Sequence, residues 1–241
     1  MQATPAINRR RPERWFYISM SIAAVITVFA GFAPTYYLRP YFNTAPLIPL
    51  LHLHGVVFTS WLVLFLVQTT LVAAHRTDIH RRLGILGGLI ASLMIVIGAT
   101  TAVIRASQGA TPVPGVSALS FLVVPLGDIS VFAILVGAGF YYRRRADVHK
   151  RLMLLATISI LAAAIARMPF EIMKAGPPAF FGFTDVFIVA CVIYDLLTLK
   201  RVHRATALGG LLVIASQPLR LMLGGTQTWL AFAAWLTHFA R

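Results

Sequence analysis

Residues 83–104 read LGILGGLIASLMIVIGATTAVI, twenty-two positions without a charge. At 1.5 Å per residue such a run covers about 33 Å as a helix, enough to cross the hydrocarbon core of a bilayer, about 30 Å thick. Apolar residues fall on every side of this stretch and do not alternate, so it reads as a membrane-spanning helix and not as a barrel strand. Working outward, similar runs occupy roughly 15–38, 50–74, 117–142, 152–170, 182–199 and 205–223, giving about seven spans. Segment 227–240 follows Gly224-Gly225 and is too short to cross comfortably; it reads as an interfacial or re-entrant helix or a short eighth span.

The composition agrees. Of 241 residues, 59% are hydrophobic and only 12% charged, where soluble domains are about a quarter charged. Lipid leaves backbone polar groups no partner outside the segment, so the fold class is all-α: a polytopic transmembrane bundle forming a single domain over 1–241. The net charge of +14 does not point to nucleic acid, because the cations sit in short clusters between apolar runs. Fifteen lie in one set of alternate segments (a basic tail at 1–14, then the regions around Arg76–Arg82, Arg143–Arg151 and Lys200–Arg204). Five lie in the other set: Arg39, Arg105, Arg167, Lys174 and Arg220. The positive-inside rule puts the richer side, and the N-terminus, in the cytoplasm. Arg9–Arg11 and Arg14 before an apolar run resemble a signal peptide, but the run to Leu38 is long for one; we read an uncleaved first span, with cleavage near Ala33 as the alternative. Cys191 is the sole cysteine and lies in an apolar run, so it reads as a small apolar residue. The loops are short. No nucleotide loop, G-x-S-x-G elbow, H-E-x-x-H helix or Cys-x-x-Cys motif occurs, which argues against those chemistries.

Three turns on the basic side repeat: Asp78-Ile-His80-Arg-Arg-Leu83, Asp147-Val-His149-Lys-Arg-Leu152 and Arg201-Val-His203-Arg204. They suggest hairpins 2–3, 4–5 and 6–7 packed about a common centre, with span 1 added. The H-[KR]-R-L-[GM] turns, with His52-Leu-His54-Gly and the stretch from Tyr194-Asp195 to His203-Arg204, resemble several poorly characterised seven-span bacterial membrane protein families. One is similar to membrane proteins implicated in maturation of haem-containing terminal oxidases. That resemblance implies, at most, a link to respiratory haem chemistry in a bacterial inner membrane, beside respiratory-chain membrane proteins; it fixes no cofactor and identifies no catalytic residue.

Ionisable residues inside a membrane are costly and mark candidate sites. Asp128 lies near the middle of span 4, after Pro125-Leu-Gly127, where a kink is expected. Arg167 and Arg220 share a depth, each about 24 Å from the basic ends of their spans. Gln217 lies three residues before Arg220, and Glu171 four after Arg167, so each pair shares a helix face. With Asp185, these residues outline an outer-half cluster for an anionic group such as a haem propionate, a lipid phosphate or an organic acid. The structural alternative is an ion-pair network of Arg167 with Glu171 and of Arg220 with Asp128 or Asp185. His52 and His54 are candidate metal or haem ligands; on a helix they point about 200° apart, so both serve one metal only if the entry after Pro46 and Pro49 is irregular. His80, His149 and His203 share the start of spans 3, 5 and 7, with Asp78 and Asp147 as helix caps or first-turn acids. Asp195 lies deeper, to pair with Gln68 or a turn histidine.

Three functions follow as expectations: an accessory or redox protein holding a haem-, quinone- or lipid-like ligand in the outer-half pocket, a small proton-coupled transporter using Asp128, and a structural or assembly protein without ligand. The topology predicts that Arg144→Cys escapes a membrane-impermeant maleimide in intact cells while Lys174→Cys is labelled; the reverse pattern would invert the orientation.

Overall fold

The computed structural model describes residues 7–44, 46–111, 113 and 115–240. Residues 1–6 of the basic tail lie outside them, and residues 7–14 are the opening turns of a helix. The helices are α1 (Ile7–Phe32), α2 (Pro49–Ala73), α3 (Thr77–Ser107), α4 (Ala118–Phe121), α5 (Val123–Tyr141), α6 (Ala146–Ser159), α7 (Ala162–Ile165), α8 (Pro177–Leu199), α9 (Arg204–Gly224) and α10 (Gln227–His238). There is no strand among the described residues. Seven helical stretches are long and apolar enough to cross a membrane. Span 1 runs to Tyr37 through one π-helical turn at Ala33–Tyr37, span 4 joins α4 to α5, and span 5 joins α6 to α7. Large apolar side chains face outward along these helices, as on α3 at Ile85, Leu89 and Val96; in water that surface would be prohibitive, and in lipid it is the solvated face.

Turn chemistry closes the helices. After α2, the amide of Arg76 bonds the Leu71 carbonyl (2.8 Å) and that of His75 bonds Val72 (3.2 Å). This is a Schellman closure with His75 in the left-handed conformation (φ 62°) that glycine usually takes. After α3, Gly109 (φ 72°) occupies the same position, and Ala110 bonds back to Arg105 at 3.0 Å. Pro49 and Pro177 start α2 and α8, where the missing N–H costs nothing.

The centre of the bundle is one span. In span 5, 67% of the apolar window is buried, against 22–50% for the others. Its α6 half packs on α1, α5, α8 and α9, and its α7 half on α1 and α8. Hairpins α2/α3 and α5/α6 are closely packed; α8 and α9 touch less and both lean on α6. The expected common centre of three equivalent hairpins is therefore taken by span 5 itself.

Two features depart from the sequence expectation. No break falls at Pro125-Gly127, where a kink was expected: Pro125 lies in the first turn of α5, where its missing donor is harmless, and Leu122 joins α4 to α5 in helical conformation (φ −53°, ψ −28°). Span 5, expected to be continuous to residue 170, breaks at Ile160-Leu161 and ends at Ile165. No proline or glycine lies there. Ser159 Oγ donates to the Ala156 carbonyl (2.8 Å), and the Leu161 amide bonds Ile158 (3.0 Å), tightening the turn to i→i+3.

The open question of 227–240 is answered by its contacts. Trp229 Nε1 donates to the Leu119 carbonyl at 2.9 Å, Ser107 Oγ donates to Ala240 O at 3.2 Å, and Ala233 packs with Ala106 and Leu122. Helix α10 thus lies over the ends of α3 and α4 opposite the basic face and does not recross the bundle.

Span 1 meets span 5 backbone to backbone: a Cβ on Gly31 would fall on the Ala164 carbonyl. Gly31→Leu is therefore expected to lose about 1–3 kcal/mol of stability through overpacking, read as a lowered melting temperature in detergent by fluorescence of the buried Trp61. A melting curve superimposable on wild type would remove this contact as a constraint.

Candidate functional site

Polar groups inside the bundle gather at three places. Nearest the basic face, Arg151 on α6 meets Asp195 on α8, both almost fully buried (6% and 1% exposed). Arg151 Nε and Nη2 donate to Asp195 Oδ1 at 3.1 and 2.5 Å. Thr206 Oγ1 (2.5 Å) and the His203 amide (3.1 Å) donate to Oδ2, and Arg151 Nη1 donates to the Asp147 carbonyl at 2.9 Å. One carboxylate thus binds spans 5, 6 and 7, with all its partners inside the protein. A cavity of about 10 Å³ lies beside it, lined by Tyr17, Arg151, Cys191, Tyr194 and Asp195 among others; it has room for about one water. The expected partners of Asp195 are corrected here. Gln68 instead donates to the His80 carbonyl (3.2 Å), and His203 offers its backbone amide, not its ring. Arg151 was legible only as one cation of a basic turn; nothing in its spacing separates it from Arg82, its counterpart in the repeat, and only α8 and α9 bury it.

In the outer half, Arg220 on α9 forms an ion pair with Asp128 on α5. The guanidinium is otherwise engaged as well. Nη1 reaches the Val124 carbonyl (3.2 Å), Nε the Ser216 carbonyl (3.0 Å) and Nη2 Ser216 Oγ (2.9 Å), and the plane lies 5.0 Å from the Phe181 ring centre. The approach requires Gly127, where a Cβ would collide with Arg220 Cδ. Three residues before Arg220, Gln217 Nε2 donates to Asp185 Oδ1 on α8 at 2.7 Å. Two polar contacts, Asp128 with Arg220 and Asp185 with Gln217, thus link span 7 to spans 4 and 6.

Arg167 and Glu171 do not join them. The helical spacing that was to pair them is lost because α7 stops at Ile165, and Glu171 opens a short 3₁₀ segment, Glu171–Ala175. Glu171 pairs with Lys174 (2.6 Å). Arg167 Nη1 donates to the Ala163 carbonyl (2.5 Å), and its guanidinium sits 4.8 Å from the Phe32 ring centre.

Among the histidines, His52 and His54 lie on regular helix from Pro49 onward, so they diverge. His52 is exposed, and His54 stacks on Phe58 with ring centres 4.0 Å apart. Arg220 is committed, its fork filled by Asp128, Ser216 and the Val124 carbonyl, and has no donor free for a haem propionate. His203 is committed as well. Its Nδ1 accepts the Ala205 amide (3.1 Å) as the cap of α9, and its Nε2 meets Asp147 Oδ2 (3.1 Å). Asp78 and Asp147 are first-turn acids and not side-chain caps. His80 and His149 meet edge to face, with ring centres 6.3 Å apart.

Fold and buried charges together define the class: an all-helical integral membrane protein crossing the bilayer seven times. No family model, curated protein or solved structure matches the chain.

Removing one member of a buried pair strands the other, at a cost of about 3–5 kcal/mol. Arg151→Met is expected to lose that much, and Arg151→Met with Asp195→Leu to recover most of it, in thermal unfolding of the detergent-solubilised protein. Equal losses in the single and double variants would show that the pair contributes nothing specific.

Proposed function

We propose that the chain is a proton-coupled carrier of a small solute in the bacterial inner membrane, with its basic face in the cytoplasm. The observation that carries this reading is the bridge of Asp128, Arg220, Gln217 and Asp185 across spans 4, 6 and 7. The two carboxylates have different partners. Asp128 is held by an arginine and stays fixed. Asp185 is held by a neutral amide alone among the described residues, so it is the one placed to exchange a proton. Gln217 and Arg220 share a face of α9, and Pro218 between them removes a helix hydrogen bond, loosening the turn. Protonation of Asp185 weakens its hold on Gln217 and lets α9 shift between α5 and α8.

A second reading, an accessory protein in maturation of haem-containing oxidases that contacts respiratory-chain membrane proteins, draws support from the H-[KR]-R-L-[GM] turns and the pairing of their histidines. Anchoring of a ligand by Arg167 and Arg220 gains no support from the geometry, since each already has an internal partner.

Proteoliposomes on a solid-supported membrane test the carrier reading. A pH jump is expected to drive a transient charge displacement that falls at least tenfold in Asp185→Asn and persists in Lys200→Ala. No displacement by wild-type protein, or one unchanged by Asp185→Asn, would overturn it.

A further inference from the structure

The turn histidines of the first two repeats are paired in space, and the carrier reading makes no use of them. His80 opens α3 and His149 opens α6, in the matched sequences Asp-Ile-His-Arg-Arg-Leu and Asp-Val-His-Lys-Arg-Leu. Their rings are 6.3 Å apart centre to centre and nearly perpendicular, at 81°. His149 Nδ1 is bonded to the Gly139 carbonyl at 2.7 Å. That bond fixes the ring and, by making Nδ1 the donor, leaves Nε2 as a lone-pair nitrogen, the support that a metal-bound imidazole commonly has. On the other side, His80 Nδ1 is buried with no hydrogen-bond partner among the described residues. So is Oε1 of Gln68, whose own Nε2 donates to the His80 carbonyl at 3.2 Å. Both are buried polar atoms without a partner, on two residues that this bond joins, and in a packed protein each points to a missing partner.

We propose that His80 and His149, with Gln68 Oε1 as a third oxygen donor, bind a single transition-metal ion of the imidazole-binding group, zinc or copper, at the basic face. Two imidazole nitrogens at about 2.0–2.1 Å from one ion put their ring centres roughly 5–6 Å apart, so a small side-chain movement closes the site. The ligands are all neutral. Arg81 and Lys150 adjoin them in sequence and oppose a cation, so the affinity is moderate and the ion exchangeable, not a permanent structural fixture. The third repeat has no such role, because both nitrogens of His203 are already in use.

The purified full chain is titrated with ZnCl₂ by calorimetry, and separately with Cu⁺ in competition with a chromophoric chelator. One ion per chain is expected, with affinity falling at least tenfold in His80→Ala and in His149→Ala and unchanged in His238→Ala, whose ring is exposed elsewhere. A readout on the unaltered protein covers the case in which the variants misfold: the bound ion should protect His80 and His149, and not His52 or His238, from diethyl pyrocarbonate. The proposal is overturned if folded wild-type protein binds neither ion, if binding survives both substitutions, or if the two histidines react equally with and without metal. Asp185→Asn leaves this site intact, so its failure and that of the carrier reading are separable.

Discussion

Hydrocarbon offers a buried guanidinium no water, so Arg151 and Arg220 must be satisfied by the protein or not be buried at all. That requirement organises the helices around α9. Arg151 is neutralised by Asp195, whose second oxygen is held by Thr206 and the His203 amide at the start of α9. Arg220, fourteen residues beyond Thr206 on the same helix, reaches back to Asp128. Span 7 is thereby fixed to spans 5 and 6 near one face and to spans 4 and 6 in the other half. Hydrophobic burial cannot set such relationships in lipid, since tails are as apolar as leucine side chains; packing and polar contacts between helices must do so.

Small residues allow these contacts. Gly127 lets Arg220 lie against α5, and Gly31 lets α1 touch the backbone of α7. The latter contact falls beside the break in span 5, the most buried of the spans. Serine supplies the other half of the device: Ser159 bonds back to the preceding turn, and Ser216 takes up the remaining donors of Arg220. The interior therefore combines fixed ion pairs with interrupted helices. Such a bundle resists random rearrangement while keeping a few places where a helix can bend.

The two faces of the bundle differ in chemistry. On the basic face His203 caps α9, Asp78 and Asp147 lie in the first turns of α3 and α6, and His80 and His149 are set against each other. The opposite face is closed by α10, seated over α3 and α4 through Trp229 and Ser107. The proposed proton-exchange layer, on α5, α8 and α9, and the proposed metal site, on α2, α3 and α6, use separate residues and separate helices, so neither proposal depends on the other.

Seven spans and the asymmetry of the loops were readable from residue types alone, because span length and the cost of carrying arginine across lipid are local properties; span ends were off by as much as six residues, as at the starts of spans 3 and 5. The shared neighbourhood of Asp128, Asp185, Gln217 and Arg220 was readable too, since all four are too polar for the apolar runs they sit in. Partner choice was not. Whether Arg220 took Asp128 or Asp185 depends on which helix stands beside it. The pairing of Arg151 with Asp195 was hidden because Arg151 reads like any cation of a basic turn until α8 and α9 cover it. The loss of the Arg167–Glu171 pair and the placement of α10 came from the end of α7 at Ile165 and from end-on packing, neither of which leaves a periodic signal. The chain by itself determines what must lie in the membrane; only the tertiary arrangement decides which buried charge meets which, because that is settled by contacts between residues far apart in sequence.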